Sequence, residues 1–210
     1  MAIREIFETY IHYLIHPFRT HEIFMRQNDE EPELMNLSVY ESLGTSWVFI
    51  VLNGMVRIVI LNLLLTTIFN LIQNSTLDLA LVFDVNEIPG YSFFVLSAVL
   101  DVIFYPLFGF FIIQYWEMII KLMGRLLQVP GDLSKKAQDI ISVALASNIF
   151  KIVPVFGSPA QSLSSMILMY AGLRKQLNAS PALSICIILS PVFILLAFFS
   201  IFLLFALLML

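Results

Sequence analysis

The chain has 210 residues, of which 60% are apolar and 12% charged, with nineteen Phe, nine Met and a single Cys. An average soluble domain is about 45–50% apolar and about 25% charged, and a 23.9 kDa core cannot hide the hydrocarbon that a mean hydropathy of +0.92 implies. These values exclude a water-soluble globule, a disordered chain and a disulfide scaffold, and a net charge of -4 lacks the basic face that nucleic acid needs.

Segment 1–18 (MAIREIFETYIHYLIHPF) does not read as an export signal, because Arg4, Glu5, Glu8, Thr9 and His12 interrupt its apolar core. Its apolar residues Ile3, Ile6, Phe7, Tyr10, Ile11, Leu14 and Phe18 fall on one face of a helix. Such a helix either lies in the membrane interface or packs against the cytoplasmic end of a bundle. Pro17 is expected to end or kink it. The stretch 27–33 (QNDEEPE) reads as a solvated linker. Residues 1–45 are therefore expected to form a cytoplasmic amphipathic helix and acidic linker, and 46–210 a transmembrane domain.

A helix needs roughly 20 apolar residues to cross the hydrocarbon core. The first candidate span, 47–72, is interrupted by Asn53, Arg57, Asn62 and Asn70. The second, 93–123, carries Pro106, which predicts a tilt or kink. The third, 137–153, is short and rich in small residues, and the fourth, 160–173, follows a turn through Pro154, Gly157 and Pro159. The fifth, 181–210, is apolar apart from Ser184, Ser190 and Ser200, and contains the lone Cys186. The third and fourth are each short enough for a re-entrant hairpin. The expected fold is an all-α integral membrane protein, a bundle of five transmembrane helices with an N-terminal amphipathic interfacial helix.

Basic residues orient such a bundle, because Lys and Arg accumulate in cytoplasmic loops. With five crossings, Arg4, Arg19, Arg26, Lys121, Arg125, Lys135, Lys136, Arg174 and Lys175 share one side, while the other side has only Lys151 and Arg57 lies within a span. This predicts a cytoplasmic N-terminus and a C-terminus on the opposite side.

From Ile152 onward the chain reads IVPVFGSPAQSLSSMILMYAGLRKQLNASPALSICIIL. A Pro-x-x-Gly turn (Pro154, Gly157) leads into a span rich in small residues that ends in a Gly-Leu-basic step (Gly172, Leu173, Arg174). A Ser-and-Ala junction (Ser180, Ala182) then opens the last span. Near the front, Tyr13-Leu14-Ile15-His16-Pro17, followed by Phe18 or Phe24, fits an apolar-x-x-Pro-x-x-x-Phe step. Together these features resemble the Yip-one domain family, the Ypt/Rab-interacting proteins, in its bacterial form. The resemblance implies a five-span membrane protein with no known catalytic chemistry; eukaryotic relatives act in vesicle traffic and membrane shaping. The Asp-Leu-Tyr-Gly-Pro signature of those relatives is absent, with only a loose echo over 101–106 (DVIFYP), which weakens any carry-over of Rab-type GTPase binding.

Arg57 lies about 10 residues into the first span, or ~15 Å at the helical rise, and Asp101 lies at a similar depth in the second. An Arg at mid-membrane costs about 2.5–3.5 kcal/mol on insertion scales and should face a partner or water. Arg57 and Asp101 are therefore the expected ion pair, with Glu117 as the rival acid. The pair reads either as a clamp fixing two helices or as part of a polar pathway. Small residues in the third and fourth spans favour close helix packing. Near the outer turn, Asn148, Lys151 and Gln161 could line a small polar cavity with Gln114, although Lys151 can equally snorkel to the interface.

His12 and His16 share a helical face, but Pro17 separates them from His21 and Glu22, so no metal site is expected. Asn74-Ser75-Thr76 is a glycosylation sequon that matters only in a eukaryotic lumen. No zincin, nucleophile-elbow or phosphate-loop motif occurs, and no catalytic residue or cofactor is expected. The expected function is that of a non-catalytic scaffold, organiser or assembly partner in a bacterial inner membrane, contacting the lipid bilayer and either other membrane proteins or further copies of itself. A small permease or channel using Arg57, Asp101 and Gln114 is the alternative, and a wet cavity rather than a dry ion pair would favour it.

Overall fold

The computed structural model describes residues 3–26, 37–74, 91–153 and 156–209. Pro154, the stretch 27–33, and Ser75 and Thr76 of the sequon lie outside the described residues. The described chain is all-helical.

Helices α1 (Ile3–Ile15) and α2 (Pro17–Arg26) meet at His16. Proline lacks an N–H but is well suited to the first turn of a helix, so Pro17 closes one helix and opens the next. The apolar face of α1 divides in two. Tyr10 and Tyr13 are fully buried, stacked with ring centroids 6.2 Å apart, and the Tyr10 hydroxyl donates to the Ser42 carbonyl at 3.2 Å. Burial raises the pKa of both phenols. Phe7, Ile11, Ile15 and Phe18 face outward, Ile15 being 63% exposed. Thus α1 packs on the bundle through one edge and offers the other to its surroundings.

Two long helices follow, α3 (Val39–Asn74) and α4 (Tyr91–Leu126), packed along one another. A capping box starts α3: the Ser38 N–H donates to Glu41 Oε2 at 2.8 Å, and the Glu41 N–H donates to Ser38 Oγ at 3.3 Å. Helix α4 runs through Pro106 as one element. It closes in a Schellman turn, with Gln128 left-handed at φ 52° and the Val129 N–H reaching the Gly124 carbonyl at 3.0 Å.

Asp132 caps α5 (Leu133–Leu145), accepting from the Ser134 N–H at 2.8 Å. The chain then tightens into a 3-10 helix (Ala146–Ile152) before α6 (Gly157–Gln176). The core lies where α1, α2, α5, the 3-10 helix and α6 meet one end of the α3–α4 pair, with Ile113, Ile120, Ile140, Leu168 and Leu173 fully or almost fully buried. Ser142, Ser147 and Asn148 are buried there too. Small polar side chains suit the close approach of several helices, and this is why α5 and α6 are less apolar than α3 and α4.

The apolar run from Pro181 is not one straight helix. Ser180 caps α7 (Pro181–Ile188), and α8 (Ser190–Met209) leaves it at 53°. Pro191 cannot donate an N–H to the carbonyl four residues earlier, and its ring crowds that carbonyl, so the helix restarts. The Tyr115 hydroxyl meets Ser190 Oγ at 3.0 Å and ties the start of α8 to α4.

Among the described residues, two helical stretches are long and apolar enough to cross a membrane, Val39–Thr67 and Ser92–Leu126. The bent α7–α8 pair makes a third if it is one span. This supports a membrane protein, with two or three crossings by length and composition where the sequence predicts five.

Candidate functional site

Asn53 and Arg57 stand one turn apart on α3, so they share a helix face. That face looks toward α4, where Asp101 Oδ2 lies 3.4 Å from Arg57 Nη1. The contact is single and long, and it is open: the two side chains are 41% and 62% exposed. Lys151, near the end of the 3-10 helix, reaches the same place, with its ammonium 5.5 Å from the centre of the Tyr105 ring. Ser158, in the first turn of α6, completes the group.

These residues line a cleft with two adjoining lobes of about 420 Å³ each. The lobes share Asn53, Arg57, Ala98, Lys151 and Ser158. One lobe is walled by Ile58, Leu61, Leu64 and Phe94, the other by Phe104, Tyr105 and Phe108. A polar waist therefore sits between two apolar walls.

The turn that delivers Lys151 and Ser158 needs a glycine. A Cβ on Gly157 would collide with the Phe150 carbonyl oxygen and press against Lys151 Cα at 3.1 Å, so α6 starts flush against the 3-10 backbone. Phe156 occupies the N-cap of α6 and supplies no capping hydrogen bond. The helix thus begins beside the cleft without a side-chain cap.

The other polar residues singled out in the sequence lie elsewhere. Glu117 pairs with Lys121 at 2.6 Å and accepts from Ser134 Oγ at 3.0 Å, away from Arg57. Asn148 is buried in the helix seam, donating to Ser46 Oγ at 3.2 Å and to the Leu145 carbonyl at 3.0 Å. Gln161 donates to Ser147 Oγ at 3.4 Å. Gln114 is exposed on α4 and lines neither lobe. Of the four residues that were candidates for one cavity, only Lys151 enters the cleft. Ser158 and Tyr105 were not predicted as site residues; the adjacent Gly157 was the nearest sequence signal for Ser158.

Gly172 has a packing role. A Cβ there would lie 2.8 Å from Ile140 Cγ1 and 3.0 Å from His21 Nε2, so its absence lets α2 and α5 close on α6. The buried His21 ring lies against Gln176, with Nδ1 3.0 Å from the amide nitrogen. When that amide donates, Nδ1 accepts and the proton sits on Nε2. Burial pushes the His21 pKa down to about 4, against a weaker opposing pull from the Leu168 backbone. The His12 and His16 rings are 5.3 Å apart, and the His12 pKa is lowered by burial, then by His16 and Arg19. Among the described residues no cluster of three or more His, Cys, Asp or Glu could hold a metal ion.

A separate groove of about 620 Å³ runs between α4 and α8, walled by Phe108, Phe111, Trp116, Ile194 and Phe198. Its lining is almost wholly hydrocarbon, and it holds no cluster of polar groups. In comparisons with known proteins, the chain matches no family model, no curated protein and no solved structure.

Proposed function

We propose that this chain is a five-span membrane protein of the Yip-one type, resident in a bacterial inner membrane with its N-terminus cytoplasmic and its C-terminus opposite. It acts as a non-catalytic scaffold that organises other membrane proteins or further copies of itself. The observation that carries this reading is the two-sided α1. Tyr10 and Tyr13 anchor the helix in the core, while Phe7, Ile11 and Ile15 form an outward apolar stripe at four-residue spacing, continued by Phe18 on α2. A rigidly held apolar stripe is suited to a partner helix or a membrane surface. The Lys175–Glu22 ion pair supports one part of this topology, the N-terminal region and the end of α6 on the same side, as the distribution of basic residues requires.

Reporter tags at Met1 and Leu210 test for an odd number of crossings, with opposite compartments expected, and a further tag at Phe156, expected opposite Met1, distinguishes five crossings from three. Proximity cross-linking from a photoreactive residue at position 15 tests the scaffold role. A defined protein contact that is lost in Phe7→Ser/Ile11→Ser supports it; labelling of lipid alone removes it.

A small permease or channel is the second reading, and the open cleft at Arg57 and Asp101 favours it. Solute flux into proteoliposomes, abolished by Arg57→Gln, is its test.

A further inference from the structure

We infer that the waist of the cleft is a phosphate-binding site formed by Arg57, Lys151, Asn53 and Ser158, and that its apolar lobes suit a phosphate carried on a lipid. The inference rests on the cleft of the permease reading but concerns binding, not transport.

Charge is the first ground. Two cations, Arg57 and Lys151, meet one carboxylate, Asp101, so the waist carries a net positive charge. Asp101 engages Arg57 through one contact of 3.4 Å, leaving most of the five guanidinium N–H donors uncommitted. Lys151 has no carboxylate within ion-pair contact among the described residues; it is attracted to Asp101 only at longer range, and its ammonium rests near the Tyr105 ring. Cations left in an apolar setting without full partners favour an incoming anion.

Donor geometry is the second ground. Arg presents a planar fork matched to phosphate oxygens, and Lys is a compact charge that binds phosphate as a point cation. Asn53 and Ser158 add neutral donors at the same waist.

Shape separates two sources of the same chemistry. A free phosphate would use only the waist. The flanking walls of Ile58, Leu61, Leu64 and Phe94 on one side, and of Phe104 and Phe108 on the other, offer hydrocarbon contact to an acyl chain.

The test uses the full chain in a phosphate-free maltoside detergent at constant ionic strength, titrated separately with inorganic phosphate and with short-chain phosphatidic acid below its micelle concentration. Saturable binding of phosphatidic acid is expected, and Lys151→Gln or Arg57→Gln should weaken it about tenfold or more. Lys151→Arg should retain it. Asp101→Asn, which removes the competing carboxylate, should bind more tightly, an effect that misfolding cannot mimic. Binding of inorganic phosphate with equal affinity supports the waist and assigns it to a free anion. Absence of saturable binding by either probe, or unchanged affinity in both charge-removing variants, overturns the assignment. Binding without solute flux keeps this site while rejecting the permease reading.

Discussion

Trp47 on α3 donates its indole Nε1–H to the backbone carbonyl of Val102 on α4 across 2.8 Å. In an unbroken helix that carbonyl would accept from residue 106, but residue 106 is proline and has no N–H. Trp47 replaces the missing donor, which matters where no water is present to do so. Trp47→Phe should destabilise the fold by about 1 kcal/mol, the scale of an interhelical hydrogen bond in a membrane. Pro106→Ala restores an intrahelical donor, so Trp47→Phe should cost less in that background. Unfolding in micelles across the double-mutant cycle checks this; equal costs in both backgrounds would show that the indole contributes only by packing.

Arg57 and Asp101 form a charged contact between α3 and α4. Asp101→Ala should lower the yield of folded protein, because it removes the carboxylate facing Arg57, and adding Arg57→Leu should restore part of it. Size-exclusion profiles of the tagged variants measure the folded fraction. A double variant no better than Asp101→Ala would mean that the two side chains do not act as partners.

Gly172 separates α6 from Ile140 and His21. Gly172→Ala brings a methyl to within 2.8 and 2.9 Å of the two Ile140 γ carbons and 3.0 Å of His21 Nε2. Such overpacking should cost about 1–3 kcal/mol, and Ile140→Ala should relieve part of it. Thermal unfolding of the single and double variants decides the matter, with additive losses counting against direct contact.

Acid should loosen the dock between α2 and α6. The His21 imidazole has a pKa near 4 when folded, against 6.5 for an unperturbed group. Between those values the unfolded chain takes up a proton that the folded chain excludes, so stability falls as pH drops from about 6.5 toward 4 and is fully present above 6.5. The lowered His12 pKa acts in the same direction. Stability measured over this range should decline less steeply in His21→Leu; an identical slope would place the titration elsewhere.

The juxtaposition of Arg57 with Asp101 was legible because both depths follow from counting along straight helices that are neighbours in sequence. Asn53 is one turn from Arg57 and belongs to the same pattern. Lys151 was visible only as an isolated cation that could snorkel or line a cavity. Its meeting with Arg57 depends on the 3-10 helix lying against α3, a contact between elements nearly a hundred residues apart. The break at Leu189 had a local signal in Pro191, masked by the unbroken apolarity around it. On α1, helical period identified the apolar face, but period alone does not distinguish tyrosines directed into a protein core from phenylalanines directed outward.

Hydropathy and helical period are sums over neighbouring residues, so the sequence alone determined that this chain is helical and carries segments apolar enough for a membrane. Which polar groups share a cleft, and which face of α1 is covered, was decided only by the tertiary structure. Those outcomes depend on how closely helices distant in the chain can approach, set at positions such as Gly157 and Gly172 by the absence of a single carbon atom.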